Sequence, residues 1–371
     1  MRLVSLELRH FRNIDQASLN FGSRLVLVTG ENGQGKSNLL EAIGLLASGR
    51  SFRRAPPEVM RGHGQPFFAL DARVLSGELQ HRLEFFGKGP RLAARLDGKA
   101  MAATSAMGAT LAAVVVTPET LDLVQGGPGE RRRHLDRLAF LRKASHAALA
   151  RQYQQALQAR NRLLTSRQGG DAVMEAWEER LAVLGGTVTL ARRSALSHLE
   201  RHLTPCLEAM ALAGRRYEVR LGCQLDREEG DWSTPEEAVS RYRELLVRHR
   251  EADRRQGETR VGPHRDDLLF LMDGKALARF GSQGQQKRLV LALKLAEADL
   301  LREVLGETPL FLLDDPVAEL DRAGLERFMA LLAEREPQIF VTTCSTADIP
   351  WGGGEKNVFT VSSGHFRERG E

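Results

Sequence analysis

The stretch that decides the fold reads Gly30-Glu31-Asn32-Gly33-Gln34-Gly35-Lys36-Ser37. It matches the pattern GxxxxGK[ST], in which a glycine-rich turn is followed by lysine and a hydroxyl residue. The apolar run Leu25–Thr29 before it predicts a buried strand, and residues 38–46 after it predict a helix. A strand, loop and helix in this order predict a loop that binds phosphate.

Each residue type in this loop has a chemical reason. The glycines let backbone N–H groups turn towards a phosphate at the start of a helix. Lys36 is expected to neutralise the β and γ oxygens of a nucleotide, and the Ser37 hydroxyl to ligate Mg²⁺. The alternative, a chance glycine-rich turn, is disfavoured because the strand and the helix are both present. The sequence therefore predicts a nucleotide with Mg²⁺.

A second buried strand ends in carboxylates. Residues 310–313 are apolar and are followed by Asp314 and Asp315, as in a strand that holds Mg²⁺ beside a phosphate-binding loop. We assign Asp314 to the metal, together with Ser37, and Asp315 to the attacking water. An apolar run ending in two aspartates is by itself more often an ordinary strand end. Its occurrence after the phosphate-binding loop favours the functional interpretation.

A third motif stands before that strand and reads Gly281-Ser282-Gln283-Gly284-Gln285-Gln286. Apolar residues at helical spacing follow it, so Ser282 is expected to cap a helix whose N-terminus can receive an anion. The alternative is a simple N-cap with two glycines, which would be preferred if the motif stood alone. Its place between the other two motifs favours the anion site.

Composition and charge bound the function classes. The chain has 371 residues, with 53 Lys and Arg against 48 Asp and Glu, and a pI near 9.3. A basic balance favours polyanionic partners such as nucleic acid, although a mildly basic soluble protein fits as well. The N-terminus lacks an apolar export segment, and no stretch is apolar enough to span a membrane. We therefore expect a cytoplasmic protein without a membrane partner.

The periodicity of the chain changes twice. Strand-like alternation with turns at Asp97-Gly98 and Asp273-Gly274 occupies both ends, and helical spacing dominates the middle. We expect one lobe formed by residues 1–115 and 257–371, interrupted by a helical second lobe at residues 116–256. The predicted class is α/β, with a mixed sheet that is split in sequence.

The order of the three motifs resembles that of the ABC ATPases. In that class a serine-glycine signature of one subunit completes the γ-phosphate site of the other, which implies a shared ATP site and an ATP-dependent homodimer released by hydrolysis. Glu319-Leu320-Asp321 resembles the D-loop at the same seam. The resemblance implies catalytic roles for Lys36, Asp315 and Ser282. It implies nucleotide contacts by Gly30, Glu31, Asn32, Gly33, Gln34, Gly35, Lys36, Ser37, Asn38, Ser282 and Gly284.

Spacing and local sequence narrow the class. About 245 residues separate Ser37 from Ser282, which suits a compact helical lobe and neither a transporter ATPase nor the long arm of a Rad50 or SMC protein. From about Met1 to Thr343 the chain resembles the RecF family. The segments that carry this resemblance are Phe11-Arg12-Asn13, Gly49-Arg50-Ser51-Phe52-Arg53, Pro118-Glu119-Thr120-Leu121, Gly262-Pro263-His264-Arg265-Asp266-Asp267 and Gly281-Ser282-Gln283-Gly284-Gln285.

The RecF resemblance implies an ATP-dependent DNA-binding protein of recombinational repair and replication. Its implied partners are gapped DNA with single-strand/double-strand junctions, bound without sequence specificity, the RecO and RecR proteins, and the RecA recombinase that it helps to load. The implied activity is a weak, DNA-stimulated ATPase. Two alternatives stay open: the nucleotide-binding subunit of a transporter, and a scaffold that is switched by ATP without hydrolysing it.

Some positions depart from the class pattern. Asp315 stands where most ABC ATPases have glutamate, one methylene longer, so we expect slow hydrolysis. Cys344 stands where transporters carry a switch histidine, and Gln125 is only a weak candidate for their Q-loop glutamine.

Contacts with DNA are open to two interpretations. The candidates for phosphate contact are Arg131, Arg132, Arg133, Arg241, Arg243, Arg248, Arg250, Arg254 and Arg255. Carboxylates interleave with the run from Arg241 to Arg255. A solvated helix face is therefore the preferred interpretation of any one arginine in that run. His264 and Arg265 fit functional and local structural roles equally. Arg53 fits a contact with nucleotide, a contact with DNA, or a plain surface position.

Overall fold

A computed structural model describes residues 1–101, 104–143, 145–166, 170–212, 214–227, 232–352 and 354–369. The chain forms two compact units. The first comprises Met1–Asp122, Pro205–Leu212 and Ser282–Glu371, and the second comprises Leu123–Thr204 and Ala213–Gly281. The main boundaries therefore fall after residues 122 and 281, whereas the sequence suggested residues 115 and 256.

Strands and helices are numbered in chain order. The strands are β1 (Arg2–Phe11), β2 (Ile14–Asn20), β3 (Leu25–Thr29), β4 (Phe68–Ser76), β5 (Leu79–Lys88), β6 (Arg91–Leu96), β7 (Lys99–Ala100), β8 (Ala113–Val116), β9 (Tyr217–Gly222), β10 (Asp267–Met272), β11 (Lys275–Ala276), β12 (Leu310–Asp314), β13 (Ile339–Thr343), β14 (Lys356–Ser362) and β15 (His365–Glu368). The helices are α1 (Lys36–Ser48), α2 (Pro57–Met60), α3 (Pro118–Leu121), α4 (Pro128–Arg142), α5 (His146–Ser166), α6 (Asp171–Ala209), α7 (Pro235–Gln256), α8 (Leu277–Phe280), α9 (Gln283–Leu305), α10 (Pro316–Glu319) and α11 (Arg322–Arg335).

An antiparallel sheet forms one layer of the first unit, with the strand order β2-β1-β4-β5-β6-β7. The strand-like alternation expected at the start of the chain is seen in β1, where Leu6 and Leu8 are fully buried. Val4 is 37% exposed instead, because the pairing of β1 with β4 shifts between Leu3 and Ser5. Such a bulge reverses the face on which the preceding side chain lies.

A largely parallel sheet carries the motifs, in the order β15-β14-β3-β13-β12-β8. β3 and β13 are buried at every position, as apolar runs in parallel sheets usually are. β13 pairs with β3 on one side and with β12 on the other. Since these three strands run parallel, their carboxyl ends meet at one edge of the sheet. The phosphate-binding loop and the aspartates therefore lie at the same edge.

The second unit combines helices with a small sheet. The helical spacing of apolar residues runs without a break through two separate helices, α4 and α5. The strand β9 lies in a region where only helices were expected. β9 pairs with β10, which also pairs with β11. This pairing explains why residues 257–281 belong to the second unit instead of returning to the first.

The two Asp-Gly turns predicted from the sequence are confirmed, and a helix cap accompanies them. Asp97-Gly98 and Asp273-Gly274 both join paired strands with positive φ at each residue, as two-residue hairpin turns require. Thr234 caps α7 in a reciprocal pair with Glu237. Within the described ranges, no helix combines the length and the hydropathy that crossing a bilayer requires.

Candidate functional site

The phosphate-binding loop requires glycine at two places. Gly30 and Gly35 have φ values of 154° and 119°. A Cβ atom on Gly30 would lie 2.4 Å from the Val361 carbonyl oxygen, and one on Gly35 would lie 2.9 Å from Asn13 Oδ1. Backbone conformation and close approach both exclude a side chain, so the loop can turn tightly between β3 and α1.

Lys36 lies at the centre of the loop. Its ammonium donates to the carbonyl oxygens of Gly30 at 2.5 Å and Glu31 at 2.9 Å, and the residue is only 6% exposed. The loop backbone therefore curls around a fixed positive charge. This charge lies at the N-terminus of α1, where the helix dipole also favours an anion.

Neighbouring segments fix the shape of the loop. The Gln34 side chain accepts a hydrogen bond from the Ser363 N–H at 2.6 Å, and its carbonyl accepts one from the Gly364 N–H at 2.9 Å. The Asn38 amide donates to Asn13 Oδ1 at 2.8 Å. Two of the loop residues proposed from the sequence thus hold the loop in place through contacts within the protein.

Asp314 reaches the loop because of the strand order. Its Oδ1 atom accepts hydrogen bonds from Ser37 Oγ at 2.6 Å and from Thr342 Oγ1 at 2.7 Å. The structure therefore brings together Ser37 and Asp314, the two residues assigned to a metal from the sequence. Thr342 was missed, because it lies within an apolar strand that carries no chemical signal of its own.

Asp315 has an unusual backbone. Its φ and ψ are 46° and 55°, a left-handed conformation that costs a non-glycine residue about 1 kcal/mol or more. The Asp315 N–H donates to Thr342 Oγ1 at 2.9 Å. Burial raises the pKa of Asp315 above its usual value, the Lys36 ammonium opposes this shift, and Asp314 adds to it. The second aspartate is thus held firmly beside the first.

Ser282 caps α9, as the sequence predicted. Its hydroxyl accepts from the Gln285 N–H at 3.2 Å, and the Gln285 side chain accepts from the Ser282 N–H at 2.9 Å. This is a complete capping box. A Cβ atom on Gly284 would meet Arg288 Nη2 at an ordinary 3.7 Å. Glycine at position 284 is therefore not required by packing within the chain.

The first turns of α9 contact the segment that resembles a D-loop. Lys287 Nζ donates to the Glu319 carbonyl at 2.7 Å and to its carboxylate at 2.9 Å. Asp321, two residues further on, occupies the N-cap position of α11. Two motifs that the sequence assigned to one seam are thus linked within the first unit.

Comparison with known proteins gives the family. A family model described as an AAA domain matches residues 5–88. The DNA replication and repair protein RecF of Magnetococcus marinus is 53% identical over 372 residues, covering 99% of this chain and 97% of that protein. The chain belongs to the RecF family. The RecF protein of Geobacter sulfurreducens is 32% identical, over 98% of this chain and 99% of its own.

Solved structures agree with this family. A structure described as the recombination mediator protein RecF-ATPrS in the RecFOR pathway matches with a TM-score of 0.89 and 27% identity, covering 99% of this chain and 98% of that one. Its RecF-ATP counterpart gives 0.87 and 28%, covering 99% and 97%. An Smc head bound to ScpA gives 0.55 at 14% identity, covering 100% and 97%. The fold is that of an ABC-type ATPase head, which RecF shares with Smc.

A buried ion pair explains one segment of the RecF resemblance. Glu41 of α1 is fully buried, and its carboxylate accepts two hydrogen bonds from Arg12 at 2.8 and 2.9 Å and one from Ser51 at 2.5 Å. Sequence reasoning missed Glu41. A carboxylate within an otherwise apolar helix was the available signal, because a buried charge requires a partner.

Arg53 lies close to the predicted metal ligand. It donates to Asn38 Oδ1 at 2.9 Å, and its guanidinium lies 3.8 Å from Asp314 Oδ2. Its side chain is 35% exposed. The sequence left three roles open for Arg53, and these contacts favour the role near the nucleotide.

Most of the arginines offered as DNA contacts in this RecF protein are engaged within the second unit. The pairs are Arg131 with Asp267, Arg132 with the Asp266 carbonyl, Arg133 with Glu130, Arg243 with Glu179, Arg250 with Glu178, and Arg254 with Asp171. For Arg243, Arg250 and Arg254, the interpretation as an ion-paired helix face fits better than a row of phosphate contacts.

His264 has a local structural role. Its Nε2 atom lies 2.8 Å from the Thr259 carbonyl, and its Nδ1 atom lies 2.7 Å from the Tyr153 hydroxyl. A carbonyl only accepts, so Nε2 donates to it and the neutral ring accepts from Tyr153 at Nδ1. Burial lowers the pKa of His264 from 6.5 to about 4, and the hydrogen bond to Thr259 opposes the shift.

This buried histidine predicts a pH dependence of stability. The folded pKa lies below the unfolded one, so the contribution of His264 is present above pH 6.5 and is lost as the pH falls towards 4. Relative to His264→Gln, the free energy of unfolding of the parent is expected to fall by up to about 3 kcal/mol over that range. Urea denaturation of both proteins at several pH values measures this.

The comparison with His264→Gln isolates the histidine from its neighbour. Burial raises the pKa of Asp266 to about 6, while Arg192 opposes the shift, so Asp266 acts in the opposite direction over the same pH range. Asp266 is present in both proteins, and its effect cancels in the difference. Parallel stability profiles for the two proteins would contradict the prediction.

Cys344 contacts the phosphate-binding loop. Its thiol lies 3.6 Å from Asn32 Oδ1, and its sulfur accepts from Lys36 at 3.7 Å. The residue at the position of the transporter switch histidine thus lies against two loop residues. The weak Q-loop candidate, Gln125, donates to the Ala278 carbonyl at 3.0 Å. That contact assigns Gln125 no role at the loop.

Proposed function

We propose that the chain binds ATP with Mg²⁺ at the loop of residues 30–37. The observation that carries the proposal is the convergence of three side chains. Lys36 supplies a fixed cation, and Ser37 and Asp314 supply oxygen ligands 2.6 Å apart. Mg²⁺ in nucleotide sites takes one or two carboxylates together with substrate phosphates, so this donor set fits the ion. The similar RecF-ATP structure supports the same ligand.

The loop residues have separate tasks in this proposal. The Lys36 ammonium and the N-terminus of α1 bind and orient the phosphates. When bound, Mg²⁺ supplies charge neutralisation at the β and γ oxygens. Arg53, which lies 3.8 Å from Asp314, adds a second cation near the metal ligands. Asp315, the next residue after Asp314, orients the attacking water.

The ATP site is completed by a second copy of the chain. Ser282 and Gly284 lie at the N-terminus of α9, whose dipole favours an anion such as the γ-phosphate. Packing inside the chain does not require glycine at 284, and the absence of a side chain lets a partner approach closely. In line with the resemblance to ABC ATPases, we propose that this turn covers the Lys36 loop of the twin.

DNA is the proposed target of the ATP-bound dimer. The net charge of +5 favours a polyanion, and the relatives are named for DNA replication and repair. We propose gapped DNA, bound without base-specific contacts, RecO and RecR as partners, loading of RecA, and a cytoplasmic location. Because most candidate arginines are already paired, a smaller set of phosphate contacts carries the binding.

The decisive experiment on turnover uses Asp315→Asn. This variant keeps the size of the side chain and removes the charge that orients water, so kcat is expected to fall about 100-fold with ATP affinity within about 3-fold of the parent. The ATP-dependent dimer should then persist longer. Steady-state turnover with and without gapped duplex DNA, together with equilibrium nucleotide binding, measures both effects.

The result also separates the rival functions. Unchanged turnover in Asp315→Asn would overturn the assignment of Asp315. A parent protein that never hydrolyses ATP, yet binds partners when ATP is present, would support the ATP-switched scaffold. Exposed Glu78→Gln in the turn before β5 provides a control with the same loss of charge, and we expect it to behave as the parent does.

A further inference from the structure

Thr342 lies beside the proposed nucleotide site, on the strand between the one that precedes the phosphate-binding loop and the one that ends in Asp314. It belongs to β13, which pairs with β3 on one side and β12 on the other, and it is fully buried. A threonine hydroxyl has one proton to donate and two lone pairs. Its hydrogen bonds therefore show which way the proton points.

The hydroxyl bridges the two aspartates. Thr342 Oγ1 donates to Asp314 Oδ1 at 2.7 Å and accepts from the Asp315 N–H at 2.9 Å. A carboxylate only accepts and an amide N–H only donates, so both directions are fixed. Asp314 Oδ1 also accepts from Ser37 at 2.6 Å. One side chain thus connects the carboxylate of Asp314 to the backbone of Asp315.

The conformation of Asp315 depends on this bridge. Its φ of 46° and ψ of 55° are unfavourable for a residue with a Cβ atom. Such conformations persist only where surrounding contacts impose them. The N–H bond to Thr342 is one such contact, and the Asp315 carbonyl accepts from the Ala318 N–H at 3.3 Å on the other side. Backbone geometry at Asp315 sets the direction of its carboxylate.

A purely packing role for Thr342 would be satisfied by valine, which has the same shape. Thr360 in β14 provides a comparison within the same sheet, because its hydroxyl has no hydrogen-bond partner among the described residues. The Thr342 hydroxyl makes two hydrogen bonds, and the Thr360 hydroxyl makes none with the described residues. The same substitution at both positions therefore separates the hydrogen bonds from the volume.

We propose that Thr342 is a positioning residue for ATP hydrolysis, whose hydroxyl holds Asp315 in the left-handed conformation that aims its carboxylate at the attacking water. The inference rests on the proposed role of Asp315. It predicts an effect on kcat and little effect on nucleotide binding, since Thr342 contacts neither the loop backbone nor Lys36 in the described structure.

The test compares Thr342→Val, Thr342→Ser and Thr360→Val in the full chain. We expect Thr342→Val to lower kcat at least about 10-fold, with KM and the equilibrium affinity for ATP within about 3-fold of the parent. Thr342→Ser keeps the hydroxyl and should stay within about 3-fold of the parent in kcat. Thr360→Val should match the parent. Thermal unfolding without nucleotide confirms that each variant folds, and Thr342→Ala replaces the valine variant if that one does not.

A double substitution gives the sharpest outcome. If Thr342 acts through Asp315, then Asp315→Asn combined with Thr342→Val should be no slower than Asp315→Asn alone, because the two effects share one cause. Multiplicative effects would overturn the inference, as would a parent-like kcat in Thr342→Val or a loss confined to ATP affinity. If Asp315→Asn itself turns over normally, the proposed role of Asp315 fails first. A slow Asp315→Asn with a normal Thr342→Val refutes only the positioning role.

Discussion

Replacement of Lys36 by alanine is expected to weaken ATP binding about 1,000-fold, equivalent to about 4 kcal/mol. Lys36 is almost fully buried, and its ammonium is held by two loop carbonyls. A fixed cation at that place meets the triphosphate without further ordering of its side chain. Its removal leaves phosphate charge in a partly enclosed site with no compensating partner. Equilibrium binding of a fluorescent ATP analogue measures the loss.

Lys88→Ala is the matched control for this prediction. Lys88 is exposed at the end of β5, so the same loss of charge there should leave ATP affinity unchanged. Retention of near-parent affinity in Lys36→Ala would contradict the assigned site, provided that both variants unfold at the parent temperature.

The second large effect is expected at Ser282. Arginine at this position should abolish ATP-dependent association and lower ATP turnover about 1,000-fold, because its side chain would fill the space reserved for the phosphates of the twin. The substitution also removes the N-cap of α9, which costs about 1 kcal/mol. Ser282→Ala loses the same cap without adding bulk. It should therefore associate more readily than Ser282→Arg.

A mixture of inactive variants tests whether the site is shared. In a dimer of Lys36→Ala with Ser282→Arg, one site carries both defects and the other carries neither. Neither variant is expected to pair with itself, so the dimers that form are mixed and carry one intact site, and activity should return to at most about half of the parent value. Cross-linking shows whether mixed dimers form. If they form and the mixture stays inactive, each ATP site is contained within a single chain.

Motifs that depend on local order could be predicted from the sequence. β3 and β12 occur at their apolar runs, and Ser282 caps the helix that follows it. The hairpin turns at the two Asp-Gly pairs could also be predicted from the sequence. These features depend on backbone chemistry within a few residues, and tertiary packing does not change them.

Contacts between residues that lie far apart in the sequence could not be predicted. The Glu41 pair with Arg12 joins α1 to β1, and the bridge from Thr342 to Asp314 joins two strands, so neither has a recognisable spacing. β9 was missed because its pairing with β10 imposes an extended conformation in a helical region.

Sedimentation of the purified parent chain measures whether ATP joins two copies of the protein. Protein is compared without nucleotide, with ADP, with Mg²⁺ and ATP, and with a slowly hydrolysed ATP analogue. We expect a single-chain species in the first two conditions and a two-chain species in the last two, with Ser282→Arg remaining single throughout. A chain that stays single at saturating ATP, or a Ser282→Arg variant that pairs as well as the parent, would contradict an ATP site shared between two copies.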